Sequence, residues 1–123
     1  MLLKDFYNVV SLENTIGSKY LITIKVNENH DVFKGHFPGN PIMPGVCMMQ
    51  IIKELSEQIT ESSLFMQTLT NVKFMALINP FINSKLVLEL DINTTEDGLV
   101  KIKNTTYFNE TIALKLSSVY RKI

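Results

Sequence analysis

Hydrophobic and polar residues alternate along most of this chain of 123 residues. Within 18–28, Tyr20, Ile22, Ile24 and Val26 share one face, with Thr23 and Lys25 on the other. A period of two over that length predicts a half-buried strand. Residues 6–12 predict a strand before it and Glu13 to Gly17 the turn between them, so the pair reads as a hairpin. Residues 65–78 carry Phe65, Leu69, Val72, Phe74, Ala76 and Ile78 up to a break at Asn79-Pro80. In 85–95, Leu86, Leu88, Leu90 and Ile92 oppose Val87, Glu89 and Asp91. Glu96-Asp97-Gly98 is a hairpin turn signal. Two further strands, 99–108 and 111–120, meet across Asn109-Glu110.

The period changes once. Residues 46–52 are apolar on nearly all sides, and Leu55 and Ile59 continue at helical spacing. This predicts one long helix ending near residue 60, with its first half buried. Pro44 suits its first turn. A polar stripe of Gln50, Lys53, Glu54, Glu57 and Glu61 follows the same spacing. Gln50 sits inside the apolar run, so a half-buried position is expected for it. Ahead of the helix, Pro38, Pro41 and Pro44, with Gly35, Gly39 and Gly45, crowd into eleven residues. Proline fixes φ and glycine permits what other residues cannot, so this segment is an irregular, rigid loop.

A hairpin, a buried helix and three or four antiparallel strands form an α+β domain spanning 1–123, with the sheet curled around the helix. Open sheet edges and short length favour a dimer or higher oligomer. Charge is balanced at 12 basic against 12 acidic residues, which argues against a broad nucleic-acid surface or a polybasic membrane anchor. No run approaches the ~18 apolar residues of a membrane helix. Cys47 is the single cysteine, so no internal disulfide forms. The expected setting is the cytoplasm.

The loop carries the chemistry. Residues 35–46, Gly-His-Phe-Pro-Gly-Asn-Pro-Ile-Met-Pro-Gly-Val, resemble the signature of the bacterial beta-hydroxyacyl-ACP dehydratase family. A looser likeness runs through Asn71-Val72-Lys73-Phe74 and Ile78-Asn79-Pro80, where the family's Arg-Phe and Pro-Gly-Asp are replaced by Lys73-Phe74 and Asn79-Pro80-Phe81. The resemblance implies the hot-dog fold, an antiparallel sheet wrapped around one long central helix, with dimers forming a continuous sheet. It implies a lyase acting on a 3-hydroxyacyl thioester in fatty-acid or related acyl-chain biosynthesis. It further implies a substrate carried on the phosphopantetheine of acyl carrier protein or on CoA, with no other cofactor and no metal.

Dehydration removes an α-proton, stabilises enolate-like charge on the thioester oxygen and supplies a proton to the departing hydroxyl. A histidine, with an unperturbed pKa of ~6.5, suits the base. The resemblance assigns that role to His36, and Phe37, Pro38, Gly39, Pro41 and Pro44 shape the loop around it. The first amides of a helix lack intrahelical acceptors and sit at its positive end. The resemblance places the thioester carbonyl on those of Gly45 and Val46, with Gly45 allowing close approach.

The acid position departs from the family. Fourteen residues after His36, where the family keeps Glu or Asp, stands Gln50. An amide exchanges hydrogen bonds but does not deliver a proton. Loss of general-acid help costs roughly 3–5 kcal/mol of barrier stabilisation. Four substitutes are open: Glu54 one turn on, acting through a water; His30, six residues upstream of His36 on a turn and expected at the surface; His36 in both roles; or a heterodimer with an acid-bearing paralogue, since in this fold the histidine and the acid come from different subunits. The alternatives to a self-sufficient dehydratase are an acyl-binding or half-catalytic subunit and an acyl thioesterase. Met43, Met48, Met49, Phe74 and Met75 suit an acyl tunnel or plain core. Lys34 and Lys73 are candidate contacts for an acidic carrier, and Cys47 is expected in the core.

Overall fold

The computed structural model describes residues 5–35 and 41–123. Its elements run β1 (Tyr7–Ile16), β2 (Lys19–Val26), α1 (Val32–Gly35), α2 (Gly45–Thr60), β3 (Leu64–Phe74), β4 (Lys85–Thr94), β5 (Leu99–Phe108) and β6 (Thr111–Lys122). The strands form one antiparallel sheet in the order β1-β2-β4-β5-β6-β3, so β1 and β3 are its edges.

Alternation sets the register. Ile22, Ile24 and Val26 of β2, Leu86, Leu88, Leu90 and Ile92 of β4, and Val100 and Ile102 of β5 all lie on the inner face and are buried. Ile22 faces Leu88 and Ile24 faces Leu86 across the ladder. A slip of one residue would turn each set to solvent, so this packing fixes the pairing. Against that face α2 buries Cys47, Met48, Ile51, Ile52, Leu55 and Ser56. The Ser56 hydroxyl is satisfied within the helix by the Ile52 carbonyl at 2.7 Å. The helix ends where Glu61 turns left-handed and its N–H meets the Glu57 carbonyl. The Glu57 carboxylate then accepts from the Leu64 N–H at 2.8 Å, tying the start of β3 to the helix. One helix in the grip of one curled antiparallel sheet is the hot-dog arrangement.

Several expected boundaries move. The first hairpin turn is not Glu13 to Gly17: β1 runs to Ile16 and the turn shrinks to Gly17-Ser18, with Gly17 at φ 56°. Asn14 makes this work, its side-chain amide donating to the Gly17 and Lys19 carbonyls. The strand expected over 65–78 stops at Phe74, because Met75 and Ala76 both turn their N–H groups to the Ala113 carbonyl. The short α1 was not foreseen; the Val32 N–H donates to His30 Nδ1 at 3.1 Å across its start. His30 is half-buried rather than a plain surface residue, its ring edge-on to Phe6 at 5.0 Å. The largest departure concerns α2. Its first half is not buried on all sides: Val46 is 72% exposed, because the sheet leaves one stripe of the helix uncovered.

Candidate active site

The stripe that the sheet leaves open starts at the N-terminus of α2. Pro44 is the N-cap, extended at φ −64° and ψ 141°, with no side chain closing the first turn. Its carbonyl accepts from Cys47 at 3.0 Å and from Met48 at 3.3 Å. The amides of Gly45 and Val46 therefore have no backbone acceptor among the described residues. They lie at the positive end of a 16-residue helix. An oxygen gathering negative charge is stabilised at such a place.

Gly45 is tightly constrained. A Cβ built on it would sit 2.6 Å from Cζ of Phe74. Glycine is therefore what lets the aromatic ring close over the helix start. Phe74, Met75, Ala76, Leu77 and Ile78, with Met43, Met48 and Gly45, line an apolar cavity of about 380 Å³. The Met43 N–H bonds the Ile78 carbonyl at 2.8 Å, which holds the segment entering the helix against that wall. Four of the five residues read as tunnel candidates, Met43, Met48, Phe74 and Met75, line this cavity. Met49 does not; it faces a different one.

That second cavity, about 350 Å³, is lined by Val46, Met49, Gln50 and Lys53 of α2 with Leu64, Phe65 and Met66 of β3 and Tyr120 of β6. Gln50 is half-buried there, as its place in the apolar run predicts. Its Nε2 donates to Glu54 Oε2 at 2.9 Å. The other oxygen of Glu54 accepts from the Tyr7 hydroxyl at 2.8 Å. Burial, then the hydrogen bond to Glu54 and its charge, hold the Tyr7 phenol protonated far above its ordinary range. Tyr7 went unrecognised in the sequence. It stands 47 positions from Glu54, and no spacing rule joins a first-strand tyrosine to a helix carboxylate.

Gly45 and Gln50 thus open to two different cavities of one chain. His36, Phe37, Pro38 and Gly39 lie outside the described residues, while Pro41 is half-buried just beyond them. Cys47 is buried, and burial pushes its thiol pKa up, away from nucleophile chemistry. Lys34 pairs with Asp31 at 3.2 Å in solvent, and Lys73 on the outer sheet face stands opposite Lys115 of β6. No group of three His, Cys, Asp or Glu suited to a metal occurs among the described residues. No helix there is long and apolar enough to cross a membrane.

Known proteins resemble this chain in sequence and in fold. The profile of a family described as ApeI-like, ApeI dehydratase, matches residues 13–112. A 3-hydroxyacyl-acyl-carrier-protein dehydratase FabZ of Legionella pneumophila subsp. pneumophila is 32% identical over 126 aligned positions, covering 91% of this chain and 83% of the relative. Among solved structures, the dehydratase heterocomplex ApeI:P from Xenorhabdus doucetiae superposes with a TM-score of 0.75 at 17% identity, over 94% of this chain and 97% of that one. A mutant thioesterase from Pseudomonas aeruginosa has the same fold, with a TM-score of 0.64 at 8% identity, over 99% of this chain and 83% of that one.

Proposed function

We propose, for a chain that belongs to the ApeI-like dehydratase family, that it forms a hydro-lyase converting a 3-hydroxyacyl thioester to the 2-enoyl thioester and water. The observation that carries this reading is the family match over 13–112, taken with the amides of Gly45 and Val46, which have no backbone acceptor among the described residues, and with the apolar cavity that Gly45 lines.

The steps balance with one base. His36 takes the proton from C2. The electron pair of that C–H bond becomes the C2–C3 double bond, and the thioester oxygen, held on the Gly45 and Val46 amides, bears the transient charge. The C3–O bond breaks, and the proton on His36 passes to the departing hydroxyl, which leaves as water. His36 returns to its neutral form. Gln50 supplies a hydrogen bond and no proton.

The site is completed by a second chain. β3 is an edge strand, and around it Val46, Phe65, Phe74, Met75 and Leu77 are large, apolar and more than half exposed. Pairing across this edge would cover them, and the family resemblance then draws His36 and Gln50 of one site from two different chains. The neighbour is another copy or an acid-bearing paralogue. Gln50, and the heterocomplex formed by the ApeI:P protein, favour the paralogue as a second reading. An acyl carrier protein or CoA delivers the substrate through its phosphopantetheine arm, in the cytoplasm.

The test is the dehydration assay. Pure protein is given a 3-hydroxyacyl thioester, and enoyl product is followed for the native chain and for His36→Ala. Full activity in His36→Ala, or free acid as the product, sinks the reading. Activity that appears only on adding the paralogue selects the heterodimer.

A further inference from the structure

Gln50 is joined to two residues that no part of the reaction above uses. Glu54 lies one helical turn on, on the same face. One carboxylate oxygen accepts from Gln50 Nε2 at 2.9 Å and the other from the Tyr7 hydroxyl at 2.8 Å. The chain Tyr7–Glu54–Gln50 spans from edge strand β1 to the cavity wall. Chemistry decides its polarity. A carboxylate only accepts, so the end of the Gln50 amide that faces it must be the NH₂. The amide oxygen therefore points away from Glu54. Glu54 does not line the cavity that Gln50 lines.

We infer that Tyr7 and Glu54 are positioning residues that lock the Gln50 amide with its oxygen toward the cavity, where it accepts a hydrogen bond from the 3-hydroxyl of the acyl substrate. The inference rests on the dehydratase reading for the identity of the ligand, and on the hydrogen bonds alone for the lock. It makes Gln50 a selector for the hydroxyl. A saturated acyl chain or the enoyl product has no O–H to donate and would leave the oxygen unpaired, and sites built around a hydrogen bond discriminate against ligands that lack it. Holding the hydroxyl hydrogen also turns a lone pair of its oxygen outward, free to receive the proton from His36. Glu54 keeps both oxygens occupied as acceptors, which suits an orienting anion rather than a proton donor.

The experiment measures binding without turnover. The 3-hydroxyoctanoyl amide of pantetheine and its octanoyl counterpart, both lacking the reactive thioester, are titrated into the native protein and into Gln50→Ala, Glu54→Gln and Tyr7→Phe. The native protein should prefer the hydroxylated amide roughly fivefold to tenfold. Gln50→Ala should abolish the preference. Glu54→Gln should reduce it and have no further effect in the Gln50→Ala background. Tyr7→Phe removes one donor from Glu54 at unchanged charge and serves should Glu54→Gln fail to fold; it should lower the preference less. In parallel, the Gln50 side-chain NH₂ resonances should carry one downfield, slowly exchanging proton that vanishes in Glu54→Gln. Equal preference in the native protein and Gln50→Ala, NH₂ resonances indifferent to Glu54, or failure of the native protein to bind either amide overturns the inference. A native protein that selects the hydroxyl yet forms no enoyl thioester keeps the lock and removes the dehydratase reading. Enoyl formation without hydroxyl selection does the reverse.

Discussion

The ring of Phe74 occupies the space that any side chain on Gly45 would need, its Cζ 2.6 Å from where a Cβ would stand. The ring is 57% exposed and attached through a flexible side chain, so it can swing aside. Gly45→Ala should therefore cost stability modestly, on the order of 1 kcal/mol. Its effect on turnover should be much larger, about 10²-fold, because the added methyl crowds the carbonyl off the helix amides. The double variant Gly45→Ala/Phe74→Ala separates the two. Urea unfolding should show the steric part relieved, whereas the dehydration assay should show no recovery.

Removing His36 removes the base. His36→Ala should lower kcat by about 10²–10⁴-fold, with KM little changed, because the imidazole acts on the reacting proton rather than in binding. Steady-state kinetics on the same thioester as the native protein reads both constants.

Gln50→Glu places two carboxyl groups within hydrogen-bond distance, since Gln50 and Glu54 already meet at 2.9 Å. Two carboxylates so close do not both ionise readily, and the pair retains one proton to higher pH than either would alone. At low pH the variant should gain turnover over the native chain, having acquired an acid for the leaving hydroxyl. The gain should fade as pH rises through the raised pKa of the pair. Stability follows the same sign: the folded pair holds more protons than the unfolded chain, so stability falls as pH rises from the unfolded carboxyl pKa of ~4.3 through the raised value. In Gln50→Glu/Glu54→Gln the amide donates to the carboxylate instead, and both profiles should move to lower pH. Their pH dependence, measured side by side, checks the assignment.

Tyr7 carries an alkaline signature. Burial and then Glu54 raise its phenol pKa in the folded protein. The stability this represents is fully present below the unfolded tyrosine pKa of ~10 and is lost as pH rises through the folded value. Tyr7→Phe should be less stable than the native chain by about 1 kcal/mol near neutrality, for the lost hydrogen bond. The gap should narrow at about pH 11, where the phenol ionises in the unfolded chain while the folded protein keeps it protonated. Urea unfolding at the two pH values measures it.

Much of this architecture is written in the order of residues. Leu86, Leu88, Leu90 and Ile92 announce β4 and its buried face, because a period of two has one structural solution when one face meets a core. Gly98 and Asn109 mark their turns because left-handed backbone favours these residues. Gln50 is legible as half-buried for the same reason, a polar group set among apolar neighbours. Val46 is not, since apolar character predicts burial but cannot say whether the covering surface belongs to this chain. Glu13 to Ile16, expected in a turn, are strand, because the ladder to β2 overrides local preference. The contact of Tyr7 with Glu54 is invisible from either residue alone, being a product of how edge strand β1 lies against α2.

The separation of Gly45 and Gln50 into two cavities of one chain has a genetic counterpart. If each working site draws His36 from one chain and Gln50 from its neighbour, two defective alleles should rescue each other. Mixed from unfolded chains, His36→Ala and Gln50→Ala form hybrids in which one site carries both lesions and the other carries neither. Neither parent alone could show that restored half.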